Sequence, residues 1–387
     1  MPWFCWMNVT MQIDRERLAA TFTELCEIGS PSRKEGRIAE RLRAIFSDLG
    51  AESIVEDHSA PITGSECGNL IISFAGRKSN DPVFFNCHMD TVEPGISIRV
   101  VRRNDIFTSA GNTILGSDDK SGIAALIEAV RVLKAENLEH IPFELVFTTC
   151  EEIGLLGAKA LDPGLIRAKM GYALDSSYFG RVIIGAPASN RLRITVHGKA
   201  AHAGLQPEKG INAITLAGRA LSLCPFGRID AESSVNFGTI QGGSASNIVP
   251  EEVVIEGEVR SHSEEKLARL TGSIEEAFEQ TMESWEDTSG LVGERPWARV
   301  EVQPDFPVMR LSMDDPVVRL IEQAGHKTGI PLSYEIAGGG SDANIFNGYG
   351  LQTAILSTGM TNVHTTQEQI SLQDMVDLTR LVLALLL

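Results

Sequence analysis

Phe143-Glu-Leu-Val-Phe-Thr-Thr-Cys-Glu-Glu-Ile-Gly154 is an apolar, β-prone run that ends abruptly in two adjacent carboxylates, Glu151 and Glu152, with Gly154 and Gly157 close behind. A buried strand ordinarily gives way to turn residues, because an unpaired buried carboxylate costs several kcal/mol or surrenders its charge. Two such groups side by side at a strand mouth point to a cation between them, or to a site where one acts as a base. A solvated loop after the strand is the plain alternative, and this stretch by itself does not choose.

The recurrence of the pattern chooses. Val83-Phe-Phe-Asn-Cys87 leads into His88-Met89-Asp90, Gly171-Tyr-Ala-Leu174 leads into Asp175, and Ala354-Ile-Leu356 leads through seven residues to His364. In an open α/β sheet, ligands bind beyond the carboxyl ends of the strands. Four strand-like runs thus deliver imidazoles and carboxylates to one edge, a donor set suited to zinc or a similar divalent ion.

The bulk numbers bound the rest. A chain of 387 residues has room for two or three domains, and 43% hydrophobic with 22% charged residues is the composition of a globular protein. A net charge of −17 without a basic tract argues against nucleic acid or an anionic membrane as partner. The six cysteines are scattered and form no Cys-x-x-Cys pair, which reads as reduced thiols in a cytoplasmic protein. Apolar residues 1–7 are too few to span a bilayer and lack a basic leader, so 1–10 reads as an extension, disordered or docked on the surface.

In chain order, helical periodicity covers 13–28 and a second stretch carrying Ile38, Leu42, Ile45, Phe46 and Leu49 on one face. Buried strands follow at 69–74 and 83–87, and then a loop from Pro94 to Gly116. Gly116-Ser-Asp118-Asp-Lys-Ser-Gly122 opens a helix, where an acidic pair has an ordinary capping role. A short helix from Leu155, the strand ending at Asp175 and a hairpin around Gly180 come next. The order then becomes strand, helix, two strands, long helix, strand, which is the split βαβ sandwich. Residues 188–306 therefore read as a domain inserted into a first domain of 11–187 and 307–387. The returning half carries a helix over 316–327, a strand over 332–336, the turn Gly338-Gly-Gly-Ser-Asp342, the strand ending at Leu356 and a helix from Leu372. The fold class is α/β, with a mixed, mostly parallel sheet and an inserted ferredoxin-like βαββαβ lid.

Six motifs in this order resemble the zinc-dependent exopeptidase and amidohydrolase family, which includes peptidase T, carboxypeptidase G, aminoacylase and succinyl-diaminopimelate desuccinylase. They are His88-Met-Asp90-Thr91, Gly116 to Gly122, Glu151-Glu152-Ile-Gly154, Asp175, Gly198-Lys-Ala-Ala-His202-Ala-Gly204 and His364. The resemblance covers nearly the whole chain after the first ten residues and implies a zinc-exopeptidase-like catalytic domain. It also implies two zinc ions per subunit, with Co2+ or Mn2+ as substitutes. His88 and Asp175 would hold one ion, Glu152 and His364 the other, and Asp118 would bridge them through a carboxylate preceding a cis peptide. Asp90 would hydrogen-bond the far nitrogen of the His88 ring, and Glu151 would be the general base for a metal-bridged water. By the same resemblance His202 would bind the oxyanion, Asn247 and Arg260 the substrate, and the turn containing Gly339 would shape the pocket floor. The lid would pair two copies into a homodimer.

Some residues depart from peptidase T proper. Ile336-Ala337 stands before the glycine turn where that enzyme has an arginine, Thr361-Asn-Val leads to His364, and Ser176-Ser177 replaces paired glycines. This pattern resembles a peptidase T-like branch and leaves strict tripeptide specificity open. The expected activity is hydrolysis of short peptides from one end, as an aminopeptidase or tripeptidase. The alternatives are the same machinery acting on N-acyl amino acids or carbamoyl compounds, or an inactive peptide-binding relative. The presence of every expected ligand and of the base disfavours the last.

Overall fold

The computed structural model describes residues 12–387. The expected extension at 1–10 and Cys5 lie outside the described residues. Strands Leu70–Phe74, Val83–His88 and Phe143–Thr148 are buried at every position, which is why their sequences read as unbroken apolar runs rather than alternating ones. Ser73, Asn86, His88, Glu144 and Thr148 are their buried polar members, and Glu144 accepts from the Arg167 and Ala168 amides and the Arg167 guanidinium, so its charge is paired.

The chain divides into two compact units. Among the described residues, the first comprises 12–185, 310–337 and 341–387. Its central sheet runs in the order Ser53–Glu56, Leu70–Phe74, Phe143–Thr148, Val83–His88, Met170–Ala173, Gln352–Leu356, Arg181–Ala186. Phe143–Thr148, Val83–His88, Met170–Ala173 and Gln352–Leu356 are mutually parallel. Antiparallel pairs at either side make the sheet mixed. Helices Arg15–Glu27, Ser117–Ala135 and Leu372–Leu386 pack against one another, and the middle one also lies on Val83–His88. Phe46 of Gly36–Asp48 stacks on Phe147, closing the core over the strand that leads to the paired glutamates.

Two local expectations change. The stretch read as a loop to Gly116 contains strands Val100–Arg103 and Ile106–Ser109, joined by Asn104 and Asp105, both at positive φ. Two central residues at positive φ are the signature of a tight hairpin turn. Gln369–Ser371 adds a third strand from the far end of the chain. The expected hairpin around Gly180 does not form either, because Gln352–Leu356 lies between Met170–Ala173 and Arg181–Ala186.

The second unit is 186–309 with 338–340. Its five-stranded antiparallel sheet runs Gly227–Arg228, Ser233–Gly242, Glu252–Ser261, Ala188–His197, Trp297–Phe306. Helices Ala213–Leu221 and Glu264–Glu283 pack on it, burying Ile194, Val196, Ile255, Val259, Ile274 and Phe278. Gly338–Gly340 groups with this unit rather than with the flanking sequence. A Cβ on Gly340 would meet the Phe306 ring at 2.4 Å, so only glycine fits that approach.

Candidate active site

The parallel register brings the strand ends to one edge. His88 is opposite Thr148, and the Met170–Ala173 strand between Val83–His88 and Gln352–Leu356 leads to Asp175. Asp118 reaches this edge from the first turn of Ser117–Ala135, where Asp118 and Asp119 are non-helical and joined by a cis peptide. His364 comes from a loop pinned by the Thr361–Gln369 bridge, with its own backbone at positive φ.

Asp118 divides its carboxylate between two imidazoles. His88 Nε2 is 2.9 Å from Oδ1, and His364 Nε2 is 3.2 Å from Oδ2. His364 Nε2 also lies 3.1 Å from Glu152 Oε2. Ligand-capable atoms of His88, Asp118 and Glu152 all fall within 4.8 Å of one another.

Asp90 faces the His88 ring with both its carbonyl and its carboxylate. The nearest acceptor to His88 Nδ1 is the Asp90 carbonyl at 3.0 Å, with the carboxylate Oδ1 at 3.5 Å. The carboxylate accepts from the backbone amides of Glu151 and Glu152 and from Ser32 Oγ. The carboxylate thus stays beside the His88 ring while also fixing the backbone under both glutamates. That loop has two further supports. Buried Glu35 accepts from the Cys150 amide, and Asn69 accepts from Thr149 N–H while donating to the Gly157 carbonyl.

The electrostatics are those of crowded acids. Burial lifts Glu151 well above the ordinary carboxylate range, with Asp175, Asp342 and Glu152 adding repulsion. Burial likewise raises Glu152 and Asp175, the second with Asp118 and Glu152 as charged neighbours. Asp118 goes the other way: burial opposes its charge, but the bonds to His364 and His88 hold its pKa low. His364 is pushed up to about 10 by its bonds to Asp118 and Glu152. Among the donors, Glu152 Oε1 and Asp342 Oδ1 are buried with no hydrogen-bond partner. Unpartnered buried oxygens beside several carboxylates and two imidazoles fit divalent cations of the zinc type.

The remaining expected residues fall in two pairs within the second unit. His202 pairs with Ile248 across the Ala201–His202 and Ile248–Val249 ribbon, and the Asn247 carbonyl accepts from Ala203 N–H. Arg260 donates to Glu258, lies over Phe306, and has Nη1 3.9 Å from where a Gly339 Cβ would be.

Sequence reading missed Asp342, Glu368, Glu35 and Asn69. Asp342 bonds Thr148 Oγ1 at the end of the Phe143–Thr148 strand, and burial raises it to about 6. Its signal was an acid closing the glycine turn. For Glu368, the signal was an acid four residues after His364.

Comparison with known proteins places this geometry. Residues 184–286 match the family model Peptidase dimerisation domain, 69–176 match Peptidase family M28, and 307–381 match M42 glutamyl aminopeptidase. An uncharacterized protein, YqjE, of Bacillus subtilis strain 168 is 41% identical over 97% of this chain and 98% of its own. The crystal structure of aminopeptidase PepT from Bacillus cereus ATCC 10987 is 40% identical, with a TM-score of 0.88 over 96% of this chain and 98% of that one. The chain belongs to the peptidase T-like branch of the M20 family. A tripeptidase from Staphylococcus aureus Mu50 gives a TM-score of 0.89 at 34% identity, over 96% of this chain and 98% of that one. These relatives align end to end, inserted unit included, whereas the M28 and M42 matches each cover only a part of the chain. The protein is a metallo-exopeptidase.

Proposed function

We propose that this M20 enzyme is a di-zinc aminopeptidase of short peptides, with tripeptides as preferred substrates and Glu151 as general base. The observation that carries the reading is Asp118, whose two oxygens face imidazoles from opposite ends of the chain, as a bridging carboxylate would. The aminopeptidase and tripeptidase at 40% and 34% identity support the substrate class. His88, Asp118, Glu152, Asp175 and His364 would hold the ions, and Co2+ or Mn2+ suits the same donors. Bound there, zinc supplies Lewis acidity towards the scissile carbonyl and brings the pKa of water to about 7.

The chain's own residues do the rest. Glu151 has its amide held by Asp90 Oδ1, so its carboxylate is presented from a fixed backbone. Burial raises that carboxylate, which suits a group that takes a proton from attacking water and returns it to the leaving amine. Asp90 positions both glutamates. His202 is assigned to the oxyanion and Asn247, on the adjacent segment, to the substrate. Arg260, braced by Glu258 beside Gly339, is assigned to the substrate's backbone or its carboxylate, to which a guanidinium can donate two bonds. The match to a dimerisation domain and the exposed Leu223, Phe226 and Ile240 support a homodimer formed through the inserted unit.

The test is product analysis by mass spectrometry with zinc-loaded protein, using tripeptides, blocked tripeptides and N-acetyl amino acids. Release of the first residue from free tripeptides alone is expected. Preferential cleavage of N-acetyl amino acids would overturn the peptidase specificity, and no cleavage of either class would overturn the reading itself.

A further inference from the structure

We infer that Glu368 is a positioning residue for the metal centre, locking the segment that presents Asp118 to the loop that presents His364. The inference rests on the metallopeptidase reading above. Glu368 is fully enclosed, and its carboxylate accepts four hydrogen bonds, all from one short segment. Oε2 takes the Leu115 and Gly116 amides at 2.8 Å each. Oε1 takes Ser117 Oγ at 2.6 Å and the Asp118 amide at 3.0 Å.

Those donors lie on the segment that runs into the non-helical, cis-linked Asp118–Asp119 step, just ahead of the helix that follows, so the carboxylate grips the backbone that presents Asp118. The same loop returns to Asp118 a second time, through His364 Nε2 to the side chain. The loop is stiffened between these two contacts. Thr361 and Gln369 exchange backbone bonds, Glu368 N–H donates to Thr365, and Thr365 Oγ1 donates to Asn362. One loop thus grips the backbone of Asp118 with Glu368 and meets its carboxylate with His364. The separation of two ligands that are 246 residues apart in sequence is set by this double contact. An acid serving only as a helix cap would satisfy the same amides without being tied to His364, and the two roles differ in what they do to metal affinity.

The experiment uses the full-length protein stripped of metal and titrated with Co2+, read by its visible absorption, and with Zn2+ by competition against a chromophoric chelator. In Glu368→Gln one acceptor oxygen becomes a donor, so either the Leu115 and Gly116 amides or the Asp118 amide lose their acceptor, according to the orientation of the amide, while the Ser117 hydroxyl can reverse its role. Loss of a partner that orients a ligand costs about 10- to 100-fold in metal affinity. That weakening is expected here, with an altered Co2+ spectrum and a fall in kcat larger than any change in KM on a tripeptide. Ser117→Ala removes one bond and is expected to weaken metal binding severalfold. A folded Glu368→Gln with wild-type Co2+ and Zn2+ affinity, whatever its melting temperature, would reduce Glu368 to a cap and overturn the inference. Should that variant fail to fold, Ser117→Ala decides, and wild-type affinity in it overturns the inference equally. Failure of the wild-type protein to bind either cation or to cleave peptides would instead defeat the metallopeptidase reading.

Discussion

Replacing Asn69 by alanine should loosen the loop that carries Glu151 and Glu152 without touching either. Asn69 is fully buried; its Oδ1 accepts from Thr149 N–H at 3.0 Å, and its Nδ2 donates to the Gly157 carbonyl at 2.9 Å and to Asp57 Oδ2 at 2.7 Å. Asp57 keeps other donors through Oδ1, from the Ser59 amide and hydroxyl and from the Asn69 amide, so its loss is the smallest. Thr149 N–H and the Gly157 carbonyl lose the partner that spans the loop. An unsatisfied buried group costs about 1–3 kcal/mol, so local opening becomes easier by about 2–6 kcal/mol. At the lower end this is about a 30-fold rise in the open population. Hydrogen exchange of peptides covering 149–157 reads that population directly, because amides there exchange through local opening. The expected result is faster exchange confined to this loop, with kcat on a tripeptide falling more than KM rises. Exchange unchanged within about threefold of wild type would refute the reasoning, since the computed cost is tenfold larger.

Glu151→Gln should retain its metal content yet lose about a hundredfold or more in turnover, measured by initial rates and elemental analysis; activity above about a tenth of wild type would remove Glu151 from the base role. Burial, with Asp377 nearby, raises Asp374 to about 6. An unfolded aspartate titrates near about 3.9, so the folded state binds this proton more tightly, and its contribution to stability is full at low pH and lost as pH rises to about 6. Asp374→Asn should flatten that part of the melting-temperature profile, and an unchanged slope between about pH 4 and 6 would contradict it. At Gly171 an added Cβ would meet the Phe84 ring and carbonyl at 2.5 Å. Gly171→Ala should therefore lower stability by about 1–3 kcal/mol in thermal melts, because the strand backbone cannot move aside. Zinc at about 100 times its dissociation constant should stabilise the stripped protein by about 2.7 kcal/mol, and a melting temperature indifferent to zinc and chelator would count against the metal centre.

Much of the candidate site's edge was legible because chemistry and periodicity coincided. A β-prone run ending in Glu151 and Glu152 left a solvated loop open, and the recurrence of the same pattern at His88 and Asp175 decided for one edge. What stayed hidden were groups whose meaning is a contact rather than a type. Asn69 and Glu35 sit far from the 149–157 loop in sequence, and nothing local distinguishes them from ordinary polar residues. The hairpin at Val100–Arg103 and Ile106–Ser109 escaped for a different reason: its strands carry Arg102 and Arg103 and are held by Gln369–Ser371 from the other end of the chain. The supposed hairpin at Gly180 failed because a strand from 352–356 separates its two arms, and a local pattern carries no information about such an insertion.

The linear order of residues determined the α/β class, the presence of an inserted domain and the kinds of donor at the strand ends, since each depends on hydrophobic period and residue chemistry over a few positions. Folding alone decided that Asp118 faces two imidazoles at once, that Asp90 turns its carboxylate to the glutamate backbone, and that Glu368 closes on the Asp118 segment. These are distances between remote parts of the chain. They are set by strand register and by the need of every buried polar group for a partner, and neither is written at a single position.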